Sequence, residues 1–306
     1  MCLAPIVMQL PYIHNHGWSE RPTCSQLLSY AICLYCVFTY CVMVLPITPL
    51  RATVPLTLLY MGMTVCTVRY GYLCTHTDPT DTAVLAERKA INQGEPFNSS
   101  QFTQICTLCR THVHDQSKHC GACNRCVDGF DHHCRWVNNC IGTRNFRMFA
   151  GLIVALEAET ALQVAAGVYA LQGCCWSQEV QSRLGSVYSP SPFATQAYIA
   201  GLALFLLTSL ILLLTNTQLL LFHCYLAIKG LSTYEYIMKQ RVGTGKVQPK
   251  VVEMGNHAEV TVMNETTLSK SAHYLIAGEE SMESGKRHRN EQQPTFAVEH
   301  AENSRK

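Results

Sequence analysis

The sequence predicts an all-α, polytopic membrane protein: four transmembrane helices, with a cytosolic cysteine-rich domain holding two zinc ions between helices two and three. Three observations carry this. Uncharged apolar runs recur along the chain; seven of the seventeen cysteines and five of the thirteen histidines fall between Cys106 and Cys140; and Lys and Arg gather on one side of the expected spans. With 14% of its 306 residues charged and 48% hydrophobic, the chain as a whole is neither disordered nor a coiled coil. Its thiols cluster with imidazoles rather than stapling a short chain throughout, which excludes a small secreted disulfide scaffold. A net charge of +2 gives no electrostatic basis for a nucleic-acid partner.

The first span, 27–47, is an uncharged run that covers about 31 Å as a helix, enough to cross a bilayer. A four-residue break separates it from the second, 52–74, where Arg69 lies close enough to the end to snorkel. The two form a helical hairpin. The third, 149–172, carries Glu157, Glu159 and Gln163, which must face the helix bundle. Its small residues, among them Gly151, Ala155, Ala158 and Gly167, favour close helix packing over the alternative of lining an acyl cavity. The fourth, 199–228, lacks Asp, Glu, Lys and Arg, and its triplet Asn216-Thr217-Gln218 reads as a point where the helix leaves the bilayer.

Four spans place the N-terminus (1–26), the loop 75–148 and the tail 229–306 on one side, with the loop 173–198 opposite. The first side holds 20 of the 23 basic residues and is therefore the cytosol. The protein is expected to be integral to an endomembrane or the plasma membrane, with both termini cytosolic. No signal peptide is expected. The sequons at Asn98 and Asn264 should stay unglycosylated on that side. Beyond about residue 241 the polar composition predicts disorder. No internal repeat is expected.

The cysteine-rich stretch reads Cys106-x2-Cys109-x9-His119-Cys120-x2-Cys123-x2-Cys126-x6-His133-Cys134-x5-Cys140. Two residues between cysteines let a tight turn aim both thiolates at one ion, so paired C-x2-C motifs point to zinc. In an extended strand neighbouring side chains face opposite ways, so His119 and Cys120 are expected to serve different ions. Two sites of three cysteines and one histidine consume six cysteines and two histidines, leaving one thiol over. Cys134 is the candidate. By the same alternation it shares a face with His132, while His133 points away towards a metal. An ordinary thiol, with a pKa of about 8.5, is only a few per cent thiolate at neutral pH, and a neighbouring imidazole can raise that fraction. Asp131 could fix the tautomer of His132, as a carboxylate does in a catalytic triad, but adjacency alone does not bring the two together.

At these residues the chain resembles the DHHC-family protein S-acyltransferases (palmitoyltransferases). The likeness rests on Asp131-His132-His133-Cys134, on Trp136, Asn138-Asn139-Cys140, Gly142, Asn145 and Phe149 after it, on Asp78-Pro79 after the second span, and on Ser232-Thr233-Tyr234-Glu235 after the fourth. It covers about residues 27–235. The resemblance implies one zinc on Cys106, Cys109, His119 and Cys126 and another on Cys120, Cys123, His133 and Cys140, both structural. It implies Cys134 as the acyl-accepting nucleophile, His132 as its base, Asp131 orienting His132, and Thr233 packed near Asp131. Departures from the family pattern are Thr80 in place of Gly, Val113, His114 and Gln116 in place of a basic residue, proline and arginine, and Arg135 in place of proline. His112 and His114 are expected to be surface histidines rather than ligands.

The implied reaction moves a long-chain acyl group, palmitoyl above all, from acyl-CoA to Cys134 and then to cysteines of membrane-associated protein substrates, a two-step covalent course. Membrane attachment suits it, since burying an acyl chain is worth about 0.8 kcal/mol per CH₂. The alternative is a catalytically silent, membrane-anchored zinc-binding adaptor, which would keep eight metal ligands but have no use for Cys134 beside His132. An RNA-binding zinc module has little support from charge.

Overall fold

Thr23 caps the first helix by accepting the N–H of Gln26 at 3.2 Å, and α1 runs from Cys24 to Thr39. The computed structural model describes residues 11–188 and 190–244. After Thr39 the helix widens into a π turn, Tyr40–Val44, and ends in a 3₁₀ turn at Leu45–Ile47, where Pro46 stands. The hydroxyls of Tyr188 and Tyr198 donate to the carbonyls of Val42 and Met43 in this loosened stretch. Helix α2 (Leu50–His76) follows, then a short amphipathic helix α3 (Thr82–Gln93) capped by Asp81. Beyond the cysteine-rich segment come α4 (Phe146–Trp176), α5 (Gln178–Val187), α6 (Pro192–Lys229) and α7 (Thr233–Gly243).

Among the described residues three helical stretches are long and apolar enough to cross a membrane: Cys24–Ile47, Phe146–Trp176 and Pro192–Lys229. Helix α2 is not one of them by that measure. Its 27 residues span about 40 Å, but threonines, tyrosines and Arg69 dilute its hydropathy.

Helix α4 packs against both α2 and α6. Gly151 of α4 lets Tyr70 of α2 lie where a methyl group would stand 2.7 Å from the ring. Polar residues of α4 reach both neighbours. Glu159 accepts hydrogen bonds from Thr64 (2.8 Å) and Thr67 (2.6 Å) of α2, and Glu157 accepts from Asn216 (2.8 Å) and Thr217 (2.6 Å) of α6. Two positions apart on a helix, they face roughly opposite ways. Gln163 donates to Tyr60 at 2.9 Å and accepts from Ser209. Helix α6 runs straight through the triplet at 216–218, where Asn216 and Thr217 serve Glu157. The expected loop at 173–198 likewise contains helix α5, capped by Ser177, whose Val180 and Leu184 are buried with Tyr40, Tyr60, Leu202 and Phe205.

The cysteine-rich segment forms three antiparallel hairpins of three-residue strands: β1 (Gln104–Cys106) with β2 (Thr111–Val113), β3 (Lys118–Cys120) with β4 (Arg125–Val127), and β5 (His132–Cys134) with β6 (Asn139–Ile141). Each turn ends on a residue in the left-handed region, Arg110, Asn124 and Asn138, with φ of 57°, 48° and 50°. The hairpins recur every fourteen positions, with Cys106, Cys120 and Cys134 each closing the first strand. This corrects the expectation of no internal repeat. The period is masked in the sequence because Ile105 stands where the later hairpins have His119 and His133, and Val137 stands where the earlier ones have Cys109 and Cys123.

Candidate active site and metal centres

Two quartets of donor atoms gather within the hairpins: Cys106, Cys109, His119 and Cys126, and Cys120, Cys123, His133 and Cys140. Within each, the ligand atoms lie within 4.8 Å of one another. In the first, Nδ1 of His119 stands 3.7, 3.3 and 3.8 Å from the sulfurs of Cys106, Cys109 and Cys126. In the second, Nδ1 of His133 stands 3.3 Å from Cys123 and 3.8 Å from Cys140. Donors on a tetrahedral zinc stand about 3.5–3.8 Å apart, so three sulfurs and one nitrogen here fit that ion. All the ligand cysteines are buried.

The repeat explains the pairing. Each quartet takes the C-x2-C turn of one hairpin and the histidine and return-strand cysteine of the next, so an ion would staple consecutive hairpins together. His119 sits opposite Cys126, and His133 opposite Cys140, in the strand registers. No fourth hairpin follows the third, whose turn has Val137 in place of the second cysteine. Cys134 is thus the ligand position of a turn that belongs to neither quartet. Its turn still favours a charged sulfur, since the backbone of Val137 and Trp136 lowers the Cys134 thiol; in the first hairpin the N–H of Cys109 bonds Cys106 at 3.4 Å.

His132 and Asp131 meet at this thiol. Nδ1 of His132 lies 2.6 Å from Oδ2 of Asp131, and the imidazole is also hydrogen-bonded to Cys134. The contact that adjacency could not supply arises because Asp131 lies just before β5, its N–H bonded to the carbonyl of Ile141 at 2.8 Å. Burial pulls His132 down, but the hydrogen bonds to Asp131 and Cys134 outweigh it and raise the imidazole to about 9. Burial pushes the Cys134 thiol up, yet the bond to His132 and its charge hold it below the usual thiol value. Burial likewise raises Asp131, and the bonds from His132 and Thr233 bring it below the usual carboxylate range. Across the three groups, each neighbour favours the charged form of the next.

Thr233 closes the far side. As the first residue of α7 it donates its backbone N–H to Oδ1 of Asp131 and its hydroxyl to Oδ2. A helix N-terminus favours a carboxylate in that place. Ser232 and Glu235 form a capping box, at 3.1 and 2.8 Å, that fixes this turn. Sequence reasoning missed His223, whose ring packs on Phe149 at 5.1 Å and stands 6.0 Å from the His132 ring. The available signal was a lone imidazole directly after the apolar run Leu219–Phe222.

The remaining motif residues fasten the hairpins to α2. Asn139 donates to the carbonyls of Cys74, Thr75 and Thr77 at 2.9–3.1 Å, and Asn145 bonds Gly142 and Cys140. Fully buried Arg125 reaches Asn139, Asp78 at 3.3 Å and the carbonyl of His14. Asp78 in turn accepts from the backbone and hydroxyl of Thr80. His112 and His114 stand outside both metal quartets. They are not simply surface groups: His112 pairs with Glu87 at 3.0 Å, and His114 with the buried Asp81 at 2.7 Å, tying β2 to α3.

Fold and site together define a class: hairpins whose cysteine–histidine quartets could hold metal, with helices of membrane-spanning length, that present a thiol–imidazole–carboxylate group. Residues 99–240 match the family described as DHHC palmitoyltransferase. The chain is 35% identical over 161 residues to a probable protein S-acyltransferase 20 of Arabidopsis thaliana, covering 50% of this chain and 22% of that protein. It is 25% identical over 188 residues to palmitoyltransferase erf2 of Schizosaccharomyces pombe, covering 59% of this chain and 50% of that one. With human palmitoyltransferase ZDHHC17 it shares 41% identity over 70 residues, 23% of this chain and 11% of the other. The matches thus span half or less of these relatives' lengths.

Proposed function

We propose that the protein is a protein S-acyltransferase that moves a long-chain acyl group, palmitoyl above all, from acyl-CoA to cysteines of membrane-associated proteins. One observation carries the reading: of the seven cysteines between 106 and 140, the single one outside the metal quartets is the one bonded to an imidazole that a carboxylate holds. Cys134 thiolate attacks the thioester carbonyl and CoA leaves with the proton that His132 holds; a substrate thiol then passes its proton to His132 and takes the acyl group, which releases Cys134 as the thiolate. Asp131 fixes His132 with Nε2 towards the sulfur, and Thr233 fixes Asp131. The zinc ions are structural: every ligand position is filled by protein, which leaves none for water.

In the same reading α2 is a fourth span beside the three more apolar ones, and the hairpins, with both termini, face the cytosol. The acyl chain then lies in the bilayer while the thioester reaches Cys134 at its surface. Purified protein incubated with palmitoyl-CoA should acquire a hydroxylamine-labile acyl label at Cys134, absent from Cys134→Ser. An unlabelled native protein would instead favour the adaptor.

A further inference from the structure

We infer that His223 is a catalytic residue of this site, whose imidazole N–H donates to the carbonyl oxygen of the acyl thioester as that oxygen gains charge. The inference rests on the acyl-transfer reading above and extends it.

His223 lies six residues from the end of α6 and is partly buried. Its ring packs among other rings: Phe149 at 5.1 Å and 78°, Phe222 at 5.6 Å, Phe146 at 6.3 Å and His132 at 6.0 Å. It makes no hydrogen bond to the described residues. Withdrawing a polar group from water without a partner is unfavourable. Packing against Phe149 would be served as well by a phenyl ring, which carries no such cost. The nitrogens of His223 are therefore best accounted for by a group that the chain itself does not supply.

Its position says which group. His132, Phe149 and His223 form a triangle of rings, with separations of 5.0, 5.1 and 6.0 Å, on the imidazole that bonds Cys134. When the thiolate attacks, a sulfur–carbon bond forms and the carbonyl π pair moves onto oxygen. When the oxygen re-forms the double bond, the CoA sulfur leaves with the former thioester bond's electrons and takes the proton from His132. The transient oxyanion needs a donor. Both donors of Thr233 are directed at Asp131. His223 has its donor unused.

The test compares acylation with alkylation in detergent-purified full-length protein. Acylation by palmitoyl-CoA passes through an oxyanion; alkylation of the same thiol by iodoacetamide does not. His223→Phe should slow single-turnover CoA release by about a hundredfold, the usual effect of losing one such donor. Alkylation at the Cys134 peptide should change by less than about threefold, and His223→Gln, which keeps an N–H donor, should lose less acylation than His223→Phe. Equal losses in acylation and alkylation would make His223 a packing residue and overturn the inference. A His223→Phe protein that releases CoA at the native rate would overturn it alone. A native protein that releases no CoA would overturn the acyl-transfer reading and this inference together.

Discussion

The carboxylate of Asp131 receives both the backbone N–H and the hydroxyl of Thr233, each at 2.8 Å, from a position 102 residues away in the chain. One oxygen of that carboxylate also holds His132, so a residue beyond the last long helix governs the orientation of the imidazole at Cys134.

Thr233→Val keeps the backbone bond and removes the hydroxyl. A hydrogen bond to a charged group contributes about 1.5–3 kcal/mol, so acyl-enzyme formation should fall by roughly ten- to a hundredfold. Thr233→Ser should restore most of it. Single-turnover CoA release reads both, and a valine variant at the native rate would show that Asp131 holds its place without the hydroxyl.

Metal content separates ligands from the nucleophile. Native protein and Cys134→Ser are expected to carry two zinc ions per chain by elemental analysis, and Cys140→Ser fewer. Strong chelation should unfold the hairpins, because two ions staple strands of only three residues each. A loss of zinc in Cys134→Ser would make that sulfur a ligand and remove the basis of the proposed chemistry.

Within the helices, Glu159→Ala should lower the unfolding temperature in detergent. It removes the acceptor for Thr64 and Thr67, and interhelical hydrogen bonds of this kind contribute about 0.6–1.7 kcal/mol each. Glu159→Gln, which keeps an acceptor oxygen, should lie between alanine and native. No shift in Glu159→Ala would mean that packing alone holds α2 to α4.

Orientation has a simple readout. Asn98 is exposed within an Asn-Ser-Ser sequon, and on the cytosolic side it stays bare. An endoglycosidase-sensitive shift in mobility that disappears in Asn98→Gln would reverse the assignment.

The full quartets that could hold metal came from the family resemblance, while the C-x2-C pairs were legible because spacing alone constrains a turn and needs no tertiary context. The Asp131–His132 contact was not, since neighbours in a strand diverge and the pairing of Asp131 with Ile141 is set by the hairpin. The role of Asn216 and Thr217 was not legible because their partner, Glu157, lies 59 and 60 positions earlier on another helix. The three-hairpin repeat was hidden by Ile105 and Val137, apolar substitutions at ligand positions. Helix α5 was too short and polar to stand out, and α2 was legible in length but sits below the apolarity of the others. His223 read as one polar residue in an apolar run, with nothing local to connect it to His132.

Arg125 and Asn139 bear on any attempt to transplant the hairpins. The guanidinium joins Asp78 and Asn139, and Asn139 in turn grips the final carbonyls of α2. A chimera assembled by cutting at residue 99 would leave these anchors behind in the donor. The transferable cassette begins further upstream, inside α2, and a swap designed on that boundary keeps the thiol at its proper height above the host's helices.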